Sequence, residues 1–256
     1  MKKKERLDLL LVEYGLAESQ SRAEAYIRAG EVYVDGVCVD KPGTPVSLEA
    51  DVSRKGAKPF VSRGGYKLQK ALESFGVDPR DKICVDIGSS TGGFTDVLLQ
   101  SGARKVYAID NATGELDWKL RSDERVVVLE GTNARHLESL PEPGELIVID
   151  VSLLSLLDLT DTISRIAKKG SQCIALLKPQ YEADPEELPK GAVISNERTH
   201  RTILLRVLSA LQNGGFGVQG LIPSPITGKS GNREFLVWFS ADFPCEDISS
   251  LIAAID

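Results

Sequence analysis

Four side chains spread through the 256 residues, Lys67, Asp150, Lys178 and Glu234, are of the types needed to handle the proton of a hydroxyl group. A lysine can hold or accept such a proton, and a neighbouring carboxylate balances its charge and aims its nitrogen. Three of the four stand where apolar runs stop. Asp150 follows the run at 146–149, Lys178 follows 172–177, and Glu234 opens 235–239. Lys67 lies just off the apolar stripe of Leu68, Ala71, Leu72 and Phe75, so it can face a cleft while that helix packs on a sheet. Asp86 and Asp110 close two further runs, 83–85 and 105–109. Ligands of open α/β sheets sit outside the C-terminal ends of the parallel strands, so polar residues at four such ends mark one edge for chemistry.

The stretch that must organise this edge is 83–95, ICVDIGSSTGGFT. A short apolar run, a glycine turn and the start of a helical pattern read as strand, loop and helix. Glycine permits positive φ and close approach of a ligand. The spacing G-x-x-x-G-G is neither the dinucleotide fingerprint nor a phosphate loop, which would need Lys after the last glycine. Gly228-Lys229-Ser230 ends like a phosphate loop, but its first glycine would fall on Pro223 and a strand follows. The acid and glycines at 86–93 are similar to the first motif of S-adenosylmethionine (AdoMet) methyltransferases. That resemblance implies cofactor contacts from Asp86, Gly88, Ser89, Ser90, Gly92, Gly93, Phe94 and Thr95. Asp110, one strand on, is placed to hold ribose hydroxyls, and Asn133, after a third strand-like run at 125–129, joins the candidate set.

Ahead of this lies a small unit. Residues 5–14 put Leu7, Leu10 and Leu11 on one helical face. Ser21-x-x-Glu24 reads as a capping box opening a second helix that Gly30 stops. Residues 32–39 read as a hairpin with an Asp35-Gly36 turn, and 46–52 as one more strand. Arg6-Leu7-Asp8, Ser21-Arg22-Ala23, Ile27, Gly30, Val32, Val34-Asp35-Gly36 and Lys41-Pro42-Gly43 together resemble the alpha-L RNA-binding module. The resemblance implies RNA contacts from Arg6, Arg22, Arg28 and Lys41, and Arg63 past the linker is added to them. This α+β unit is expected over 1–58, with a basic linker from about residue 54.

The net charge of −6 argues against nucleic acid when taken whole, but the distribution reverses that. Residues 1–70 hold 13 Lys and Arg against 10 Asp and Glu, and the segment 54–70 holds six bases and no acid. A local basic stripe of this kind binds phosphates. No apolar run is long enough for a membrane span, and the basic start lacks a signal-peptide core, so a cytoplasmic protein is expected. Cys38, Cys84, Cys173 and Cys245 are widely spaced and accompanied only by His136 and His200. Reduced thiols and no metal site are the simplest reading.

From residue 59 onward, strand and helix patterns alternate. Helices are expected at 153–167 and 199–211, an irregular loop at 182–190, two final antiparallel strands at 216–222 and 235–239, and a terminal helix at 247–255. Seven strands in a mostly parallel sheet make a doubly wound, Rossmann-like α/β domain over 59–256.

The order Lys67, Asp150, Lys178, Glu234 resembles the tetrad of FtsJ-like RNA 2′-O-methyltransferases. Lys178 either takes the ribose proton or orients the hydroxyl, and residue types leave both open. Ser62-Arg63-Gly64-Gly65-Tyr66-Lys67-Leu68, Asp150-Val151-Ser152, Leu177-Lys178-Pro179-Gln180 and Gly231-Asn232-Arg233-Glu234-Phe235 extend the resemblance to the TlyA family of rRNA methyltransferases. It implies AdoMet as cofactor and cytidine in ribosomal RNA or ribosomal subunits as target. Glu115, Gly131 and Leu153 depart from the family pattern, where Gln, Arg and Phe are expected. Two rival readings are a non-catalytic RNA-binding assembly factor and a membrane-active haemolysin, the latter without any supporting span or leader in the sequence.

Overall fold

The computed structural model describes residues 4–14, 16–47, 50, 52–55, 60–228 and 230–255. The chain divides into two compact units, Met1–Pro59 and Phe60–Asp256.

In the first unit, β1 (Lys4–Arg6) leads directly into α1 (Leu7–Glu13), and α2 (Gln20–Arg28) packs on it. Strand β1 pairs with β4 (Pro45–Ser47), which is why the helix starts two residues later than its periodicity suggests. The cap of α2 is Ser19 rather than Ser21. The Ser19 side chain accepts from the Arg22 amide, so Ser21 falls inside the first turn. β2 (Val32–Val34) and β3 (Val37–Cys38) form the hairpin, with φ of 50° at Asp35 and 78° at Gly36, the two positive values a type I′ turn requires. The single strand expected at 46–52 is instead two. β4 belongs with β1, whereas β5 (Val52–Arg54) pairs with β2. Residues 48, 49 and 51 of that span, and 56–59 of the expected linker, lie outside the described residues. Leu7, Leu10, Leu11, Ala23, Ile27, Val32 and Val46 make a core belonging to this unit alone.

The second unit begins with α3 (Gly64–Phe75), then runs β6 (Ile83–Ile87), α4 (Gly93–Gln100), β7 (Lys105–Ile109), α5 (Trp118–Arg121) and β8 (Val126–Leu129). β9 (Gly144–Ile149), α6 (Thr160–Ile166), β10 (Ala167–Leu177), α7 (Pro179–Glu182) and α8 (Glu197–Asn213) follow, and β11 (Gly217–Pro223), β12 (Phe235–Ser240) and α9 (Ile248–Ala253) complete it. The sheet has seven strands in the order β11-β12-β10-β9-β6-β7-β8. The five from β10 to β8 are parallel, and β12 is antiparallel to both β10 and β11. Strand residues alternate between two cores, as the period of two demands. Val85, Ile147, Ile149, Ala175 and Val237 face one, while Cys84, Leu146, Val148, Ile174 and Leu236 face the other.

Two boundaries differ from the sequence pattern. The helix expected at 153–167 is reduced to a 3-10 turn (Leu156–Leu159) and α6. β10 starts at Ala167, opposite Gly144, and its register shifts before Gln172. The irregular loop at 182–190 holds one ordered turn, Pro185–Glu187, closed by a capping box between Asp184 and Glu187.

Candidate active site

Each of the four expected catalytic residues lies at the C-terminal edge of the parallel strands or on the helix beside it. Asp150 directly follows β9 and Lys178 directly follows β10. Glu234 directly precedes β12, and the pairing of Leu177 with Phe235 makes Lys178 and Glu234 neighbours in register. They form two ion pairs. Lys67 Nζ meets Glu234 Oε2 at 2.5 Å, and Lys178 Nζ meets Asp150 Oδ1 at 2.6 Å. Lys67, Lys178 and Glu234 are buried and Asp150 is partly open. Lys178 also donates to the Ser152 hydroxyl at 3.1 Å and stands 5.9 Å from the Tyr181 ring centre. Lys67 reaches the edge because Gly64 and Gly65 begin α3. A Cβ on Gly65 would meet the Phe60 ring at 2.4 Å, so this first turn packs too closely for any larger residue.

Around Glu234 the backbone is closely held. Its carbonyl accepts from the Ser224 amide, and a Cβ on Gly228 would approach its carboxylate to 2.6 Å. The Asn232 side chain is buried, accepts from Ile194 N and donates to Ala192 O, both at 2.9 Å. Asn232 thus clamps the loop leading to Glu234 against the segment before α8.

The glycine loop lies on the neighbouring strand ends. Gly88 N and Ser89 N both donate to Ile109 O, tying the loop to the end of β7. Ser90 N donates to Asp110 Oδ2 at 2.8 Å and Ser90 Oγ to Glu115 Oε2 at 3.0 Å. The other Asp110 oxygen accepts from Ala112 N. Asn133 caps the short turn Ala134–His136, accepting from Arg135 N. Phe94 sits in the core beneath the loop, and Thr95 donates to Asp86 Oδ2 at 2.6 Å, so both shape the loop from behind.

The glycines are required here for a reason the sequence pattern did not supply. Gly88, at φ 84°, would place a Cβ 2.5 Å from the Asp150 carbonyl oxygen. A Cβ on Gly93 would meet the Ser62 hydroxyl at 2.2 Å, and one on Gly92 the Leu120 side chain at 2.1 Å. The space they leave is filled by protein.

Asp86 is fully buried. Burial pushes its carboxyl up to about 7, Asp150 and Asp110 push the same way, and the Thr95 hydroxyl and amide oppose them. Its Oδ1 and the Gln180 Oε1 are buried acceptors with no hydrogen-bond partner among the described residues. Both lie at the edge that carries the two ion pairs.

In the first unit, Arg6 chelates the fully buried Asp8 through Nε and Nη2, and this holds the Asp8 carboxyl below the usual carboxylate range. Arg28 pairs with Glu24, and Arg22 stands 5.7 Å from the Tyr26 ring centre. Lys41 and Arg63 are exposed. Arg54, expected in the linker, is in β5 and stacks on Tyr26 at 3.8 Å. Ser152 and Asn232 lie inside motifs noted in the sequence, yet only the hydrogen bonds disclose what they do. Among the described residues, no group of three or more His, Cys, Asp or Glu is placed to hold a metal ion, and no helix is long and apolar enough to cross a membrane.

Residues 60–241 match the FtsJ-like methyltransferase family, and residues 5–52 match the S4 domain. Over 242 residues the chain is 46% identical to YqxC of Bacillus subtilis, named as an rRNA methyltransferase, covering 92% of this chain and 85% of that one. It is 39% identical over 242 residues to TlyA of Mycobacterium tuberculosis, named as a 16S/23S rRNA (cytidine-2′-O)-methyltransferase, with 93% of this chain and 90% of that one covered. A solved structure from Streptococcus thermophilus, described as a hemolysin, has a TM-score of 0.73 at 39% identity and covers 99% of this chain and 96% of that one. This chain belongs to the FtsJ-like methyltransferases of the TlyA family and carries an S4 domain ahead of its methyltransferase domain.

Proposed function

We propose that the protein transfers a methyl group from AdoMet to a ribose 2′-hydroxyl of cytidine in ribosomal RNA. The observation that carries this reading is the pair of ion pairs, Lys67–Glu234 and Lys178–Asp150, at the strand ends beside the glycine loop. The name of the M. tuberculosis relative supports the substrate.

The residues present suit AdoMet. Asp86 Oδ1 lacks a donor, and an ammonium group is a donor that favours the ionised carboxylate. Asp110, held by two backbone amides, keeps lone pairs for ribose hydroxyls. AdoMet supplies an electrophilic methyl carbon on a sulfonium. The chain's own task is then to position and deprotonate an oxygen nucleophile. Lys178 is the group for the hydroxyl proton, either accepting it or holding it by hydrogen bond, and Asp150 fixes its nitrogen. Lys67 and Glu234 neutralise each other's charge where both are buried. The S4 domain, with Arg6, Arg22, Arg28 and Lys41, supplies RNA affinity, and exposed Arg63 extends it.

The test is transfer from labelled AdoMet to ribosomal subunits lacking the modification, with nucleoside mass spectrometry of the product. 2′-O-methylcytidine is expected. A base-methylated nucleoside, or no transfer, overturns the reading. Replacing Lys178 by Ala should lower kcat by about 10²–10⁴-fold. AdoMet affinity by calorimetry should stay within a few-fold, and retained activity would remove Lys178 from the mechanism. Leakage of lipid vesicles that Lys178→Ala does not affect would instead favour the membrane activity for which the S. thermophilus protein is named.

A further inference from the structure

Lys178 has a second polar partner, the Ser152 hydroxyl, which has no other role in the site. Ser152 comes two residues after Asp150, where the chain has already left β9. At the next residue the chain turns sharply: Leu153 adopts φ 61°, the left-handed region, which costs a non-glycine residue about 1 kcal/mol. Packing gives no return for that strain, since Leu153 is 85% exposed. The turn sends the chain on to Ser155 and Leu156, which donate to Glu182, while Asp150 and Ser152, both ahead of it, share one nitrogen.

The same two loops are joined again further on. Glu182, in the short helix that begins after Lys178, is half-buried and accepts from Ser155 Oγ at 2.6 Å and Leu156 N at 2.7 Å. The segment 150–156 and the segment 178–182 are therefore tied at both ends, with Lys178 held inside the frame.

A lysine nitrogen has four tetrahedral directions. Cε takes one, Asp150 a second and Ser152 a third. One remains, whether it carries the lone pair of the amine or the third N–H of the ammonium. We propose that Ser152 is a positioning residue for Lys178: with Asp150 it leaves the nitrogen a single direction, and that direction is where the substrate hydroxyl must lie. Without Ser152 two directions are open, and the nitrogen turns about the Cδ–Cε bond between productive and unproductive contacts. The inference rests on the ribose-transfer reading above.

The experiment compares the wild-type protein with Ser152→Ala, Ser152→Thr and Lys178→Ala in the ribosomal-subunit assay, with kcat referred to the fraction of protein that binds AdoMet by calorimetry. Ser152→Ala should lower kcat about tenfold, the scale of one hydrogen bond to a charged group, and leave both KM values within about twofold. Ser152→Thr restores a hydroxyl on the same atom and should recover most of kcat. An alanine variant with wild-type kcat, a loss confined to KM, or a threonine variant as slow as the alanine overturns the positioning role while wild-type ribose methylation stands. A wild-type protein that methylates no ribose overturns the function itself, and this inference with it.

Discussion

The site proposed for this protein is built from charged side chains that offset their burial in pairs. Lys67 and Glu234 are both nearly excluded from water, so removing one leaves the other charged and unpartnered. Lys67→Ala is expected to destabilise the protein by about 3–5 kcal/mol in denaturant titrations. Lys67→Met combined with Glu234→Leu should regain most of that stability without regaining transfer. A single variant as stable as wild type would show that the pair is more hydrated than its burial indicates. Asp86 gives a pH dependence of definite sign. It binds its proton more tightly folded than unfolded, because burial raises it to about 7. Its contribution to stability is thus full below about pH 4 and is lost as pH rises through about 7. The stability of wild type relative to Asp86→Asn should fall as pH rises through that window and then level off; a difference independent of pH would refute it. At this scale much was legible in the sequence. Strand ends located Asp110, Asp150 and Lys178, because an apolar run that stops on a charge is a local pattern, whereas Asp86 lies inside β6, which runs one residue further to Ile87. Ser152 and Asn232 were not assigned, because their partners are 26 to 40 residues away and their hydrogen bonds exist only once β9, β10 and β12 are side by side.

Packing between elements couples the glycine loop to Asp150, the carboxylate proposed to fix Lys178. Gly88 lies against the Asp150 carbonyl across the ends of β6 and β9. Gly88→Ala combines a positive φ with a backbone clash and should cost about 2 kcal/mol or more. The same variant should depress kcat as well as AdoMet affinity, because the atom in the way belongs to Asp150. A variant that loses cofactor affinity alone would separate the two. The glycine spacing foretold the loop, while the reason for each glycine did not follow from it, since Asp150, Ser62 and Leu120 approach from other parts of the chain. Where elements were misjudged, a tertiary contact had displaced a local preference. The helical periodicity at 153–167 gave way to the turn at Leu153 and the anchoring of Ser155 and Leu156 on Glu182. The apolar stretch 46–52 was divided because β1 claims one part and β2 the other.

For the molecule as a whole, alternation of strands and helices was enough to specify a doubly wound sheet, and the antiparallel β12 followed from a connection too short for a crossover helix. The two units were legible from a change in period and charge. Each has its own core: Leu7, Leu10, Leu11 and Ile27 in the first, and the two faces of the seven-stranded sheet in the second. Removing residues 1–59 is expected to weaken RNA binding at least tenfold and to make it less sensitive to salt, because the phosphate contacts proposed for Arg6, Arg22, Arg28 and Lys41 would be lost. AdoMet affinity should change less than RNA affinity. Equal RNA binding with and without these residues, measured by filter capture over a salt series, would refute the division of labour. Separate cores also bear on how such a protein can diversify. A substitution that retunes which RNA is gripped need not be reconciled with the packing beneath the transferase. The destination of the methyl group and the means of delivering it are thus open to independent revision, by natural drift or by grafting.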